Sequence, residues 1–236
     1  MSFLIIQTGS IGIKSDAGDA DRMFLSALGW GQADAQVVRV FNDEPLPPAG
    51  SLRGVIITGS PAMVTDREGW SERTAEWLRG AVAGGTRMLG VCFGHQLLAH
   101  ALGGEVGNNP RGPEYGPVRI TPTPEAADDP LLSVLSQHST MVYEAHNQAA
   151  LRLPRGSILL AEGDGDPHQA VRYADQVWGV QFHPEFTLPV MRGLLEAERE
   201  RLARAGLDVA TRLEACDTEI DRIGRRFLKR FVDICG

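Results

Sequence analysis

Seven residues, Gly90-Val91-Cys92-Phe93-Gly94-His95-Gln96, limit the folds open to this 236-residue chain more than any other stretch. Arg87-Met88-Leu89 leads into them as the apolar end of a buried strand, and Leu97-Leu98-Ala99-His100-Ala101-Leu102 follows as a helix stopped by Gly103-Gly104. A cysteine therefore stands on a tight strand-to-helix turn with a glycine two residues to either side. Glycine lacks a Cβ, so the chain can bend there and neighbouring backbone can close in. The same logic underlies the Gly-x-Ser-x-Gly nucleophile elbow of α/β-hydrolases. Such a turn carries its side chain to a helix N-terminus, where free N–H groups and the dipole favour a thiolate and can hold an oxyanion. A free cysteine is otherwise most often a small core residue.

The rest of the chain supplies a sheet for that turn. Phe3-Leu4-Ile5-Ile6, Val37-Val38-Arg39-Val40-Phe41 and Gly54-Val55-Ile56-Ile57-Thr58 are short apolar runs of the kind parallel strands show when both faces are covered. Helical spacing over Asp19–Leu28, and again after an N-cap expected at Ser71 with Ala75, Leu78, Ala81 and Val82 inward, places helices between them. A polar loop runs from Asn108 to Pro117, followed by alternating Val118-Arg119-Ile120-Thr121. Met141–His146, Ser157–Ala161, Gln169–Tyr173 and Val177–Phe182 read as further strands, the last three in hairpin geometry. Asp128–Leu132 reads as a capped helical turn. The fold expected is α/β: an open, mostly parallel sheet flanked by helices, with an added antiparallel region.

Far from the elbow stands Gln181-Phe182-His183-Pro184-Glu185, and upstream of it Thr58-Gly59-Ser60-Pro61. With these in place, residues 3 to 187 resemble the class I (triad) glutamine amidotransferases, most closely the stand-alone members similar to the amidotransferase domain of GMP synthase. The family's signatures are a Gly-x-Cys-x-Gly-x-Gln elbow and a distant His-Pro-Glu. The resemblance implies a flavodoxin-like fold and a triad of Cys92, His183 and Glu185. It implies an oxyanion hole from the backbone N–H groups of Gly59 and Phe93, and a substrate-holding role for Gln96, one helical turn after the cysteine. Many members have Gly-Gly-Pro where this chain has Gly-Ser-Pro. Gly112-Pro113-Glu114-Tyr115-Gly116 resembles the family's Gly-x-Glu-x-Gly segment. Glu114 and Tyr115 are thus expected near the substrate's amino-acid end, with Glu114 meeting an ammonium, bracing the loop or simply solvated. His146 occupies the family's strand-end histidine, although the usual following Gly-Asp is replaced by Asn147-Gln148. His95, adjacent to the elbow, reads as structural, and His100 as helix surface or packing.

The implied chemistry is hydrolysis of the glutamine side-chain amide through a γ-glutamyl thioester, with ammonia released to an acceptor. No Ser-Gly-Gly-x-Asp-Ser nucleotide loop is present, so a synthetase partner that activates the acceptor is the implied companion. Three alternatives stand beside it. An α/β-hydrolase has the elbow, but its acid precedes its histidine. A γ-glutamyl peptide or conjugate hydrolase would use the same triad with a wider mouth near Tyr115 and His146. A non-catalytic partner-binding protein would rest on the C-terminal apolar stripe alone.

Net charge of −7 and the lack of a basic run disfavour a nucleic-acid surface. Cys92, Cys216 and Cys235 are too scattered for a disulfide framework or a zinc cage, which fits a reducing, cytoplasmic setting. No ligand set for a metal is apparent, no cofactor is implied, and no stretch approaches the roughly 20 apolar residues that span a membrane. The N-terminus reads as a first strand beginning at Met1, and residues 1–236 as one domain. Residues 188–236 form its helical extension: one helix through Met191, Leu194, Leu195 and Leu202, a stop at Gly206, a cap at Asp208, and a second helix striped by Leu213, Cys216, Ile220, Ile223 and Phe227.

Overall fold

The computed structural model describes residues 2–11, 18–135 and 138–236. Met1, expected in the first strand, lies outside them. The strands are β1 (Ser2–Gln7), β2 (Ala35–Arg39), β3 (Leu52–Ile57), β4 (Met88–Val91), β5 (Glu105–Asn108), β6 (Glu114–Pro122), β7 (Thr140–His146), β8 (Gln148–Arg152), β9 (Ile158–Gly163), β10 (Ala170–Ala174) and β11 (Val177–Val180). Nine of them form one sheet in the order β2-β1-β3-β4-β11-β10-β9-β6-β7, while β5 and β8 pair separately. The first five are parallel and the remainder antiparallel, so the sheet is mixed.

The parallel half needs cover on both faces, and its apolar runs provide for this by alternation. Ile5, Ile56 and Leu89 pack to one side with Phe24 of α1 (Ala20–Leu28). Leu4, Ile6, Val55, Ile57 and Met88 pack to the other, with Leu78 of α2 (Gly69–Ala83) and Leu97 of α3 (Phe93–Ala101). Asp19 caps α1 through its own carboxylate, and Gly29 ends the helix in the left-handed region at φ 69°.

Several boundaries differ from the sequence reading. The second strand starts and stops two residues earlier than expected, and Val40–Asn42 is a 3-10 turn. Helix α2 starts at Gly69 with no side-chain cap, which leaves Ser71 buried inside it rather than capping it. The expected loop Asn108–Pro117 is strand from Glu114 onward, because β6 pairs with β7 in register from Glu114 opposite His146 to Ile120 opposite Thr140. The turn at Asp128–Leu132 is held by the Asp129 carboxylate, which accepts from the N–H groups of Leu131 and Leu132 and from the Trp178 indole.

The C-terminal pair of helices is in fact four: α4 (Leu188–Ala197), α5 (Arg199–Arg204), α6 (Val209–Glu214) and α7 (Thr218–Cys235). The first break falls at Glu198, and Gly206, at φ 85°, lets the chain turn before α6. The long stripe splits because Asp217 caps a new helix: Leu213 belongs to α6, and Ile220, Ile223 and Phe227 to α7. Helix α7 packs on its own sheet. Phe227 meets Phe182 at 5.5 Å between ring centroids and Phe231 meets Trp178 edge-on at 6.4 Å. Burying each such aromatic contributes about 1.5–3 kcal/mol, and Phe182 is the residue before His183. No helix among the described residues is long and apolar enough to cross a membrane.

Candidate active site

The elbow forms as the glycine spacing requires. Cys92 sits between β4 and α3 at φ 51°, ψ −105°, a strained conformation for a residue with a side chain. A Cβ on Gly90 would lie 2.5 Å from the carbonyl oxygen of Gly94, and one on Gly94 would strike the backbone of Ile57. Only glycine at both positions lets α3 fold back over the strand. The Cys92 N–H is bound to the Val180 carbonyl at 2.8 Å, which ties the elbow to β11. Phe93 opens α3, so its N–H has no helical carbonyl to meet.

His183 arrives three residues after β11, its N–H donating to the Tyr143 carbonyl at 2.8 Å. Its Nδ1 lies 2.7 Å from a Glu185 carboxylate oxygen, and Phe186 stacks on the ring at 4.0 Å. Cys92, His183 and Glu185 are all buried, and Nε2 of His183 is left without a hydrogen bond. Cys92 and His183 both stand against Gly59. A Cβ there would stand 2.8 Å from Cε1 of His183 and 3.5 Å from Cβ of Cys92. Burial opposes a charge on His183. The Glu185 carboxylate and the sulfur of Cys92 outweigh it and hold the imidazole well above its ordinary pKa. A proton leaving Cys92 therefore has a receptive site beside it.

The loop after β3 is fixed by hydroxyls. The Thr8 side chain donates to the Gly59 carbonyl at 3.0 Å and its N–H donates to the Thr58 hydroxyl at 3.1 Å. Ser60, where many family members carry glycine, donates to the Thr8 carbonyl at 2.8 Å and accepts from the Ala62 N–H. Serine here braces the loop as well as fitting it.

A cavity of about 640 Å³ opens at Cys92 and His183, lined also by Gly59, Gln96, Tyr115 and His146. These six are the site residues expected from the sequence that face it. Glu185, Phe93 and Glu114 lie beyond it. Glu185 stands behind His183, and Phe93 packs with Trp70 on the far side of the elbow. Glu114 is the expectation that shifts most. Its carboxylate turns away from the cavity to His146 Nε2 at 3.2 Å and Gln169 Nε2 at 3.1 Å, so it stands behind the wall that His146 forms. The His146 Nδ1–H donates to the Gln148 carbonyl at 2.9 Å. Gln96 lines the cavity and donates to the Gln148 carbonyl and the Gln181 side chain. His95 is structural: burial, then the nearby His168 and His146, push it down to about 3, and Tyr173 meets its ring. His100 pairs with Glu72 on α2.

Sequence reasoning missed two groups. Glu144, on β7 beneath the site, is fully buried with neither oxygen hydrogen-bonded, 3.5 Å from His146 Nε2. A glutamate inside an alternating strand gives no warning that its face is the inner one. Burial and the neighbouring Glu114 raise its pKa well above 4.5. The unfolded chain therefore ionises before the folded one, and stability falls as pH rises through about 4.5. Glu144→Gln is expected to add about 1–3 kcal/mol near pH 7, a rise in Tm of a few degrees, and to add nothing at pH 4. Thermal melts at the two pH values check this. The second group is the wall built by Leu194, Glu198 and Arg201, whose charged members look like helix surface in the sequence.

Comparison with known proteins supplies the context. The chain is 38% identical over 142 residues to the glutamine-hydrolyzing GMP synthase of Aeropyrum pernix, spanning 60% of this chain and 25% of that one. It is 36% identical over 145 residues to one subunit of the glutamine-hydrolyzing GMP synthase of Ignicoccus hospitalis, spanning 60% of this chain and 71% of that one. It thus spans only about a quarter of the first of these. A glutamine amidotransferase from Thermotoga maritima superposes with a TM-score of 0.77 over 98% of each chain at 18% identity, a likeness of fold. The family description "Glutamine amidotransferase class-I" matches residues 21–197, well over half of the sequence, and the chain belongs to that family.

Proposed function

We propose that this protein hydrolyses the side-chain amide of glutamine through Cys92, His183 and Glu185. The observation that carries the reading is a strained, buried cysteine and a carboxylate-braced imidazole standing against Gly59 in one cavity. Cys92 attacks the amide carbon as His183 takes the thiol proton, and the N–H groups of Gly59 and Phe93 receive the oxyanion. His183 then protonates the departing ammonia, leaving a γ-glutamyl thioester. Water, deprotonated by His183, releases glutamate and restores the thiol. Glu185 keeps the ring oriented and favours its cationic form. Gln96, Tyr115 and His146 shape the pocket, and Glu114 acts through His146 rather than on the substrate. Glu185→Gln should lower kcat by about 10³–10⁴-fold with KM little changed, measured as ammonia release.

The likeness to one subunit of a GMP synthase supports a partner protein that consumes the ammonia. Residues 1–236 act in this reading as one amidotransferase unit whose C-terminal helices complete the pocket. Three free cysteines fit a cytoplasmic setting. A cavity of about 640 Å³ favours a second reading, in which a γ-glutamyl peptide or conjugate is cleaved by the same triad. Ammonia release from glutamine, compared with amine release from γ-glutamyl amides, tests the proposal. Failure to turn over either substrate contradicts it.

A further inference from the structure

The chain turns back on itself over His183-Pro184-Glu185-Phe186. The Phe186 N–H donates to the His183 carbonyl at 3.3 Å, and Pro184 fixes φ at the second position of the turn. The turn delivers two different supports to one imidazole. Glu185 meets the ring edge at Nδ1, and Phe186 covers a ring face. The His183 and Phe186 rings lie 12° from parallel, with centroids 4.0 Å apart. Phe186 is buried and packs in one core cluster with Val190, Met191 and Leu195 of α4 and Tyr115 of β6. The C-terminal helices therefore hold the phenyl ring against the histidine.

Two neutral rings avoid so close an overlap. Their quadrupoles favour offset or edge-on pairs, with centroids roughly 4.5–7 Å apart. A cation favours the overlap, because the face of an aromatic ring is its negative part. We infer that Phe186 is a positioning residue of the triad: its face bears the His183 imidazolium and fixes the plane in which the proton passes from Cys92 to the departing amine. This rests on the amidase reading above. The imidazolium forms when the thiol proton is taken up and is spent when ammonia leaves, so a contact that favours the cation acts on both steps. Burial opposes that cation, and few ionisable groups face the ring. They are Cys92 from the elbow, Glu185 beside it and Glu144 from β7, with His146, Glu198 and Arg201 on the cavity walls. Glu185 supplies its charge at one edge. Phe186 supplies a desolvated negative face where water would otherwise stand.

The test replaces Phe186 with a ring-trifluorinated phenylalanine, which nearly keeps the shape but withdraws charge from the face, and separately with tyrosine and with leucine. In the Cys92→Ala chain no thiol titrates beside the ring. There the His183 pKa, followed by NMR of isotope-labelled histidine, should fall by about one pH unit on fluorination. Phe186→Leu should lower it at least as far, and Phe186→Tyr should leave it near wild type. With Cys92 present, the fluorinated ring should lower kcat for glutamine about 3- to 10-fold with KM little changed, and the alkaline limb of kcat/KM should move down with it. A titration that fluorination leaves in place overturns the proposal. Activity lost by Phe186→Leu only in step with its Tm would then mark Phe186 as packing. Wild type that turns over no amide overturns the amidase reading, and a titration that still shifts then upholds the stack alone.

Discussion

Cys92→Ala is expected to abolish amide hydrolysis, a fall on the order of 10⁶-fold, as when a nucleophile is removed from other triads. The physical ground is that no second thiol can substitute. Cys216 is buried in the core beneath the C-terminal helices and Cys235 lies buried against Gly54 of β3, and burial raises both, Cys235 to about 11. The variant should still fold, since alanine removes one sulfur from a position whose main-chain bond to Val180 remains. Ammonia assay beside a thermal melt separates the two effects. A folded variant that keeps its turnover removes Cys92 from the mechanism.

His183→Gln should cost about 10⁴–10⁶-fold in kcat, and it carries a second signature. In the wild type the imidazolium is favoured well above the ordinary range by Glu185 and Cys92 against the opposing effect of burial. The alkaline limb of the kcat/KM profile should therefore lie well above pH 6.5, and it should vanish in the variant. Alkylation of Cys92 by iodoacetamide at pH 7 should slow as well, because the cation that steadies a thiolate is gone. An unchanged profile would show that another group receives the proton.

How much of this is legible in the sequence depends on whether a feature is local. The elbow is legible because its requirements are met within seven residues: two glycines for close approach and a cysteine between them. The parallel strands are legible because strands covered on both faces become continuous apolar runs. The helix start at Gly69 is not, since packing of Trp70 and burial of Ser71 override the capping preference of serine. Nor is β6, whose first residues look like a glycine-rich loop until β7 pairs with them. His183 and Glu185 are found through a motif, but the placements of Glu114 and Arg201 are not. The glutamate lies behind the cavity and the apparent surface arginine lines it. Both depend on the path of the chain between distant elements, which periodicity does not encode. Ser60 gives the opposite lesson. A departure from the usual glycine becomes intelligible once its hydroxyl is seen spanning Thr8 and Ala62.

The central claim is that one sulfur is placed to attack the amide carbon of a bound glutamyl group. A chloroketone analogue of glutamine, with its electrophilic carbon close to where the amide carbon stands, tests this when the labelled chain is mapped by peptide mass spectrometry. One label on Cys92, prevented by excess glutamine, is the result predicted. Label on Cys216 or Cys235 instead, or none on Cys92 while ammonia release continues, would contradict the account.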